Sequence, residues 1–537
     1  MTSRAGIKAP DFSRQMRDPR LLEAALALHD NRLSEAEPLL RGHLKENPFD
    51  VAAIRMLAEL AGRIGRLSDA EILLRRAVEL APNFLTARSN LATVLYRQSR
   101  TTEALSELDA LLAIDPENAG NTNLKAAAMG RIGEYDEAVA LYGQVLARHP
   151  DQPKVWMSYG HVLKTIGRQA DSIEAYRRAI SLLPSLGEVW WSLANLKTFS
   201  FDDDAIAVME AALNRPNTEL DDRFHLHFAL GKALEDRKDA ARSFLHYEEG
   251  NRLRRSNLDY KASDTTRQVD QSIKRFTHGL FKARAGQGCP APDTIFVIGM
   301  PRAGSTLIEQ ILSSHSLVEG TMELPDIPVL SARLGGRKGG LDAVDASELR
   351  AMGEEYLERT RIQRKTDKPF FIDKMPNNWA HIGLIHLILP NARIVDARRH
   401  PLGCCFSNFK QHFARGQSFS YGLDDMGRYY ADYVRYLAHI DTVLPDRVHR
   451  VIYERMVDDS ETEIRILLAA LGLPFEEACL RFYENDRAVR TASSEQVRRP
   501  IYREGTEQWR MFDPWLDPLK AALGEVLTSY PEIPDFG

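Results

Sequence analysis

Small residues and prolines recur along the N-terminal half of the chain at a constant spacing of 34 residues. The prolines of this series are Pro48, Pro82, Pro116, Pro150 and Pro184. The small residues of a second series are Ala58, Ala92, Ala126, Gly160 and Ala194. Small side chains let two helices approach closely, and a proline ends the second helix of a pair. The pattern therefore predicts paired helices stacked into a solenoid.

This period resembles that of the tetratricopeptide repeat, with Trp156 and Trp190 one repeat apart. Five regular units are expected from about 18 to 200, and a looser unit carries Ala240 and Phe244. We place the array at 18–264, after an N-terminal tail at 1–17. The resemblance implies a groove that binds a peptide or partner protein. The alternatives are that the array only packs against the second domain, or forms dimers.

The pattern changes after a linker rich in Gly, Pro and Ala, which we place at 265–290. Short apolar runs follow, among them TIFVIG at 294–299, and each leads into a polar turn. Strands that alternate with helices in this way predict an α/β domain with a parallel sheet, at 291–537. The fold class is therefore multidomain, with an all-α solenoid followed by an α/β P-loop-like three-layer domain.

The turn MPRAGST, at 300–306, joins the first strand to a helix and predicts an anion site at the helix N-terminus. Gly299 and Gly304 have the spacing of the nucleotide P-loop, yet Ser305 stands where that loop has its lysine. A kinase needs the lysine, so Asp396 is a weak candidate for a magnesium-binding aspartate. Arg302 supplies a cation inside the loop. These features favour a smaller anion held without metal.

The stretch PRAGST resembles the loop of sulfotransferases that use 3′-phosphoadenosine 5′-phosphosulfate as donor. The closest resemblance is to tyrosylprotein sulfotransferases and to bacterial proteins that join tetratricopeptide repeats to this domain, and it covers about 295–515. It implies a three-layer sulfotransferase fold and a 5′-phosphosulfate site. The residues it places there are Arg302, Ala303, Gly304, Ser305 and Thr306.

A second segment, 391–413, supports the same resemblance. Arg399 and Ser407 have the spacing of the arginine and serine that grip the 3′-phosphate in this family. Guanidinium binds phosphate bidentately, and a hydroxyl adds one directional bond. The sequence departs from the tyrosylprotein enzymes at Gln411, where they have a basic residue, and Lys410 is expected to point elsewhere.

The resemblance also implies the residues of the chemistry. Glu323 is expected to be the base, with Glu319 and His315 as alternatives. Lys374 and Ser493 match residues that contact the bridging oxygen of the donor. Further donor contacts are implied for Tyr453 and Arg499, whereas Trp509 is expected in the core.

The composition of the chain excludes several classes of function and of site. A net charge of −5 gives no basic excess for nucleic acid. The four cysteines include no CxxC pair, so we expect neither a disulfide framework nor a metal site. The N-terminus has no apolar core and no run of 18 apolar residues occurs, so we expect a cytoplasmic protein without a membrane span.

Together these features predict an enzyme that moves a sulfuryl group from 3′-phosphoadenosine 5′-phosphosulfate to an acceptor hydroxyl. The acceptor could be tyrosine in a protein or peptide bound with help from the repeats. Alternatives are a carbohydrate, lipid or small-molecule acceptor, or a repeat scaffold with an inactive nucleotide-binding domain. The sequence does not name the acceptor or the oligomeric state.

Overall fold

The computed structural model describes residues 18–197, 199–216, 218–413, 416–489, 491, 493–501 and 503–536. The chain divides into two compact units between residues 162 and 163. The predicted tail at 1–17 lies outside the described residues. The other predicted domain boundaries stay predictions.

From residue 18, where the described residues begin, helices follow one another without strands through the first unit. Helices α1 to α9 have the bounds Pro19–His29, Leu33–Glu46, Val51–Arg63, Leu67–Leu80, Leu85–Arg97, Thr101–Ile114, Ala119–Ile132, Tyr135–Arg148 and Pro153–Thr165. Ala58, Ala92 and Ala126 are all buried, as close helix packing requires. Gly65 and Gly133 adopt positive φ in the turns between paired helices. The predicted solenoid is confirmed.

In the first unit, arginines 34 residues apart link successive repeats through hydrogen bonds. Each donates from its guanidinium to a backbone carbonyl in the preceding repeat. The pairs are Arg63 with Leu28, Arg97 with Gly62, and Arg131 with Tyr96. These bonds add a polar link to the apolar interface between neighbouring repeats.

The second unit begins inside α9, at Leu163, and continues with further helices. Helices α10 to α16 have the bounds Gln169–Leu182, Gly187–Ala194, Asp203–Leu213, Leu220–Asp236, Ala240–Ser256, Ala262–Arg275 and His278–Ala283. The segment predicted as a linker, 265–290, thus contains helical residues. Within this unit α14 packs on later residues, since Phe244 stacks on Trp515 at 5.3 Å between ring centroids. Asn251 also donates to the carbonyl of Phe409 at 2.9 Å.

A parallel sheet of five strands follows in the same unit, as predicted. Strands β1 to β5 have the bounds Thr294–Gly299, Val318–Gly320, Phe370–Lys374, Arg393–Arg398 and Val448–Ile452. Helices α17 to α26 have the bounds Ser305–Ser313, Asp326–Gly335, Ala346–Thr360, Ile382–Ile388, Pro401–Phe409, Leu423–Val443, Tyr453–Asp458, Ser460–Ala470, Asp517–Leu523 and Glu525–Ser529. No helix among the described residues is long and apolar enough to cross a bilayer.

The strand order β2-β3-β1-β4-β5 fixes where a ligand should bind. The chain leaves β1 toward one side of the sheet and later returns to its other side with β4. Ligands of open α/β sheets bind beyond the carboxyl ends of the strands at such a switch point. At that end Gly299 pairs with Ala397, and a Cβ on Gly299 would lie 2.4 Å from the Ala397 carbonyl oxygen. Only glycine fits there.

The carboxylate of Asp396 is fully buried and shared among three partners. Arg398 and Arg450 donate to its Oδ2 at 3.2 and 3.0 Å, and the Tyr433 hydroxyl donates to its Oδ1. These contacts account for Asp396 as part of an internal ion network. Arg398 is buried in this network. Its neighbour Arg399, just after the end of β4, is therefore the arginine that lines the candidate site described below.

Asp396→Ala should therefore be strongly destabilising, because it leaves the buried Arg398 without its carboxylate and removes one of the two carboxylate partners of the half-buried Arg450. We expect the free energy of unfolding to fall by about 3–5 kcal/mol, as for other broken buried pairs. Denaturant unfolding measures it. Glu354→Ala, which breaks an exposed pair with Arg350, is the control and should change stability by about 0.5 kcal/mol or less. Equal small losses would contradict the role assigned to the network.

Candidate active site

The turn between β1 and α17 forms an anion-binding cradle. Arg302 and Gly304 adopt positive φ angles of 65° and 99°, which wrap the backbone around the start of α17. A helix N-terminus presents unpaired N–H groups and a positive dipole end to whatever lies before it. Tyr453 packs against this turn so closely that a Cβ on Gly304 would lie 2.7 Å from its ring. The geometry suits an anion held by backbone donors.

The side chain of Arg302 gathers residues that are far apart in the sequence. Its guanidinium donates to Ser407 Oγ at 3.2 Å, to Ser493 Oγ at 2.5 Å and to Gln496 Oε1 at 3.3 Å. The structure thus brings three of the predicted site residues into one cluster. Gln496 is a further member that the sequence did not indicate.

Arg399 lies beside this cluster and helps to shape the turn. It donates to the carbonyl of Arg302 at 3.2 Å and to that of Gly505 at 2.5 Å. Its guanidinium lies 4.9 Å from the centroid of the Tyr453 ring, a cation–π contact. Arg399 Nε is buried without a hydrogen-bond partner among the described residues. Such a donor is typical of a site that binds an anion.

These residues line one open cavity at the start of α17. Ala303 is buried beneath the turn and does not line the cavity. The predicted residues that do line it are Arg302, Gly304, Ser305, Thr306, Arg399, Ser407, Tyr453, Ser493 and Arg499.

Glu323 and Lys374 form an ion pair outside this lining. Lys374 ends β3, beside Val297 of β1, so the pair stands at the same edge of the sheet as the turn. The Lys374 ammonium lies 2.5 Å from Glu323 Oε1. The Lys374 side chain is 1% exposed and that of Glu323 is 46% exposed. The Glu323 carboxylate is thus accessible to a ligand, whereas the Lys374 side chain is buried.

The two alternative bases are occupied by contacts of another kind. Glu319 is buried, and its Oε1 accepts from the backbone of Lys365 and Thr366 at 2.5 and 3.0 Å. His315 is fully buried, with its ring nitrogens at the Pro474 carbonyl and the Leu317 N–H. Both side chains hold loops in place, which favours Glu323 among the three.

Asp373, the residue before Lys374, is fully buried and accepts from the Tyr356 hydroxyl at 2.9 Å. Burial raises the pKa of Asp373 well above its usual range. Lys374 forms its ion pair with Glu323.

Two expectations about individual residues were wrong. Trp509, expected in the core, lines the cavity and stacks on His400 at 5.4 Å with an interplanar angle of 4°. Lys410, expected to point elsewhere, also lines the cavity and pairs with Glu235 at 2.5 Å. In both cases the contacting partners are distant in sequence, so helical spacing alone could not place the side chains.

The described residues contain no group of three or more His, Cys, Asp or Glu side chains arranged to hold a metal ion. All four cysteines are buried and unpaired.

Comparison with known proteins assigns both regions. Residues 292–477 match the family described as "Sulfotransferase family". Residues 55–119 and 126–186 match the family described as "Tetratricopeptide repeat". The chain therefore carries tetratricopeptide repeats within 55–186 and a C-terminal sulfotransferase-family domain at 292–477.

Similar individual proteins add little about activity. An uncharacterized protein of Aquifex aeolicus is 32% identical over 344 residues, which cover 62% of this chain and 45% of that protein. The chain thus spans less than half the length of this relative. Among solved structures, MamA from Desulfovibrio magneticus is 17% identical, with a TM-score of 0.29, over 33% of this chain and 98% of that one. A thermophilic TPR protein of Thermus thermophilus is 24% identical, with a TM-score of 0.29, over 32% and 93%.

Proposed function

We propose, on the premise that residues 292–477 form a sulfotransferase-family domain, that the chain transfers a sulfuryl group from 3′-phosphoadenosine 5′-phosphosulfate to an acceptor hydroxyl. The observation that carries this proposal is the convergence of Arg302 and Arg399 on one cavity at the start of α17. Two guanidinium groups and several hydroxyls suit two separate anionic groups on one ligand. The missing loop lysine disfavours a nucleoside triphosphate.

The residues present fit this donor. The turn from Arg302 to Thr306 would hold the 5′-phosphosulfate through backbone N–H groups and the Arg302 guanidinium. Arg399, with its free Nε donor, and Ser407 would hold the 3′-phosphate. The Trp509 ring at the cavity wall offers a flat surface for the base.

The donor supplies an activated sulfuryl group, bonded to a phosphate oxygen that can leave. Transfer forms a bond between the acceptor oxygen and sulfur and breaks the bond between sulfur and the bridging oxygen. Glu323, the exposed carboxylate, would take the proton of the acceptor hydroxyl. Ser493, which lines the cavity, would stabilise negative charge on the bridging oxygen, which leaves with the bisphosphate. Lys374, paired with Glu323 outside the lining, would add positive charge from the same edge of the sheet.

Tetratricopeptide repeats suit the binding of a peptide or protein, so tyrosine in such a partner is our first candidate for the acceptor. Carbohydrate, lipid and small-molecule hydroxyls need the same base and cations, and they are the alternative acceptors. A panel of acceptors with radiolabelled donor would identify the class.

The proposal predicts that the full chain binds 3′-phosphoadenosine 5′-phosphate more tightly than ATP. The bisphosphate would place one anion at each of the two arginines. ATP should bind weakly, because the loop has Ser305 where the outer phosphates of a nucleoside triphosphate need a lysine. Titration calorimetry with each ligand, without magnesium and then with it, measures both affinities. Tight binding of ATP and none of the bisphosphate would overturn the proposed function.

A further inference from the structure

One segment before the C-terminus docks on a turn between two repeat helices. The turn, residues 165–167, lies between α9 and α10. The segment lies within 487–498, of which the structure describes 487–489, 491 and 493–498, and it carries Ser493 and Gln496. Val489 N–H donates to the Thr165 carbonyl at 3.0 Å, and Arg498 Nη2 donates to the same carbonyl at 3.3 Å. Both partners belong to the second compact unit. A repeat helix and the segment thus share one carbonyl.

Arg498 is packed against the glycine of that turn. Gly167 adopts a positive φ of 81°, and a Cβ added to it would lie 2.9 Å from Arg498 Cζ. The other contact of Arg498 Nη2 is the Arg487 carbonyl at 3.2 Å, at the start of the segment. One guanidinium therefore joins both ends of the segment to the repeat turn, and a side chain at 167 would force this guanidinium to shift.

Glu495, inside the same segment, is buried. Burial raises the pKa of its carboxyl above the usual range, although Arg498, Lys164 and Arg499 oppose that shift. The contacts that hold the segment to the repeat turn are therefore the hydrogen bonds of Val489 and Arg498.

The same segment orients Arg302. Ser493 and Gln496, which lie between the two anchored ends, both accept hydrogen bonds from the Arg302 guanidinium. Arg302 has a long side chain on a backbone with positive φ, so its position depends on such partners. A change at the repeat turn can reach the guanidinium through three contacts: Gly167 to Arg498, Arg498 to the segment, and the segment to Arg302.

We propose that Arg498 is a positioning residue, which couples the repeat turn at 165–167 to the donor-binding arginine through Ser493 and Gln496. The repeat helices next to the catalytic domain then contribute to the geometry of the site as well as to partner binding. This inference rests on the proposed function only in assigning Arg302 to the donor.

Gly167→Ala tests the coupling, and Gly65→Ala is its matched control. Gly65 lies at the same point of an earlier repeat, with a φ of 83°, and nothing lies within 4 Å of a Cβ there. Both alanines are strained alike, but only the one at 167 displaces Arg498. Because a shift of about 1 Å can cost about 10²-fold in rate, we expect Gly167→Ala to lower kcat/KM for the donor by at least about tenfold. Gly65→Ala should leave kcat/KM unchanged.

Arg498 variants and a double mutant exclude a merely structural effect. Arg498→Ala should lower kcat/KM like Gly167→Ala, and Arg498→Lys should restore part of it. In Gly167→Ala with Arg498→Ala the two losses should not add, because the second change removes the group that the first displaces. Additive losses, or equal kcat/KM in the two glycine variants, would overturn the coupling.

Hydrogen exchange separates this proposal from the proposed function. Without any ligand, Gly167→Ala should speed amide exchange in 487–498, whereas Gly65→Ala should not. If exchange in the segment is the same in both variants, the coupling is wrong. If exchange responds as expected but the unaltered chain does not bind the bisphosphate, the coupling stands and the proposed donor is wrong.

Discussion

Glu323→Gln is expected to lower kcat for sulfuryl transfer by about 10²–10⁴-fold, the usual contribution of a general base. The amide keeps the size of the side chain and can still accept a bond from Lys374, but it cannot take the acceptor proton. Because Glu323 does not line the donor cavity, affinity for the bisphosphate should stay the same. Single-turnover kinetics and calorimetry measure the two quantities separately.

Glu319→Gln is the control for this change. Glu319 accepts backbone N–H bonds from Lys365 and Thr366, and an amide oxygen can still accept them. We expect kcat to change little in this variant. Full activity in Glu323→Gln, with a large loss in Glu319→Gln, would move the base to Glu319. Loss of bisphosphate affinity in Glu323→Gln would indicate a role in the fold of the site instead.

Arg302→Ala and Arg399→Ala are expected to weaken donor binding by about 30-fold or more each, because each removes a charged partner of a bound anion. The two variants should differ in which anion they affect. Adenosine 5′-phosphosulfate lacks the 3′-phosphate, so Arg302→Ala should weaken its binding and Arg399→Ala should have much less effect. With the bisphosphate both variants should bind weakly.

Arg503→Ala is the control for these losses, since Arg503 is exposed and does not line the cavity. It should bind both ligands as the unaltered chain does. Equal weakening of both ligands by Arg399→Ala would mean that Arg399 acts mainly through its bonds to the Arg302 and Gly505 carbonyls. In that case Arg399→Lys, which keeps the positive charge but loses the planar guanidinium, should not restore tighter binding of the ligand that carries a 3′-phosphate.

Local sequence patterns were sufficient to predict much of the fold. The 34-residue period encodes helix pairs because each repeat buries the same small positions, such as Ala58 and Ala92. The run TIFVIG predicts β1 with its observed bounds, since a buried parallel strand is apolar on both faces. The helices within 265–290 were not predicted, because the glycine and proline residues near the end of this segment favour a linker.

The site was predictable where its residues follow a strand directly. Arg302, Arg399 and Lys374 all lie at or just after the carboxyl ends of strands, where α/β folds place their ligands. Gln496, Lys410 and the contact of Arg498 with Gly167 were not predictable. These depend on how separate segments pack, and nothing in the local spacing of residues specifies partners hundreds of positions away.

The helices from α10 to α14 belong to the same compact unit as the sheet, and this has a consequence for how such proteins can be recombined. Phe244 on Trp515, Lys410 with Glu235 and Arg498 on Gly167 all cross the place where a fusion of two modules would be cut by sequence alone. We expect transfer of the sulfotransferase-family domain to another protein to preserve its packing only if these helices are transferred with it. The unit to transfer is therefore larger than the matched domain at 292–477 and begins before α10.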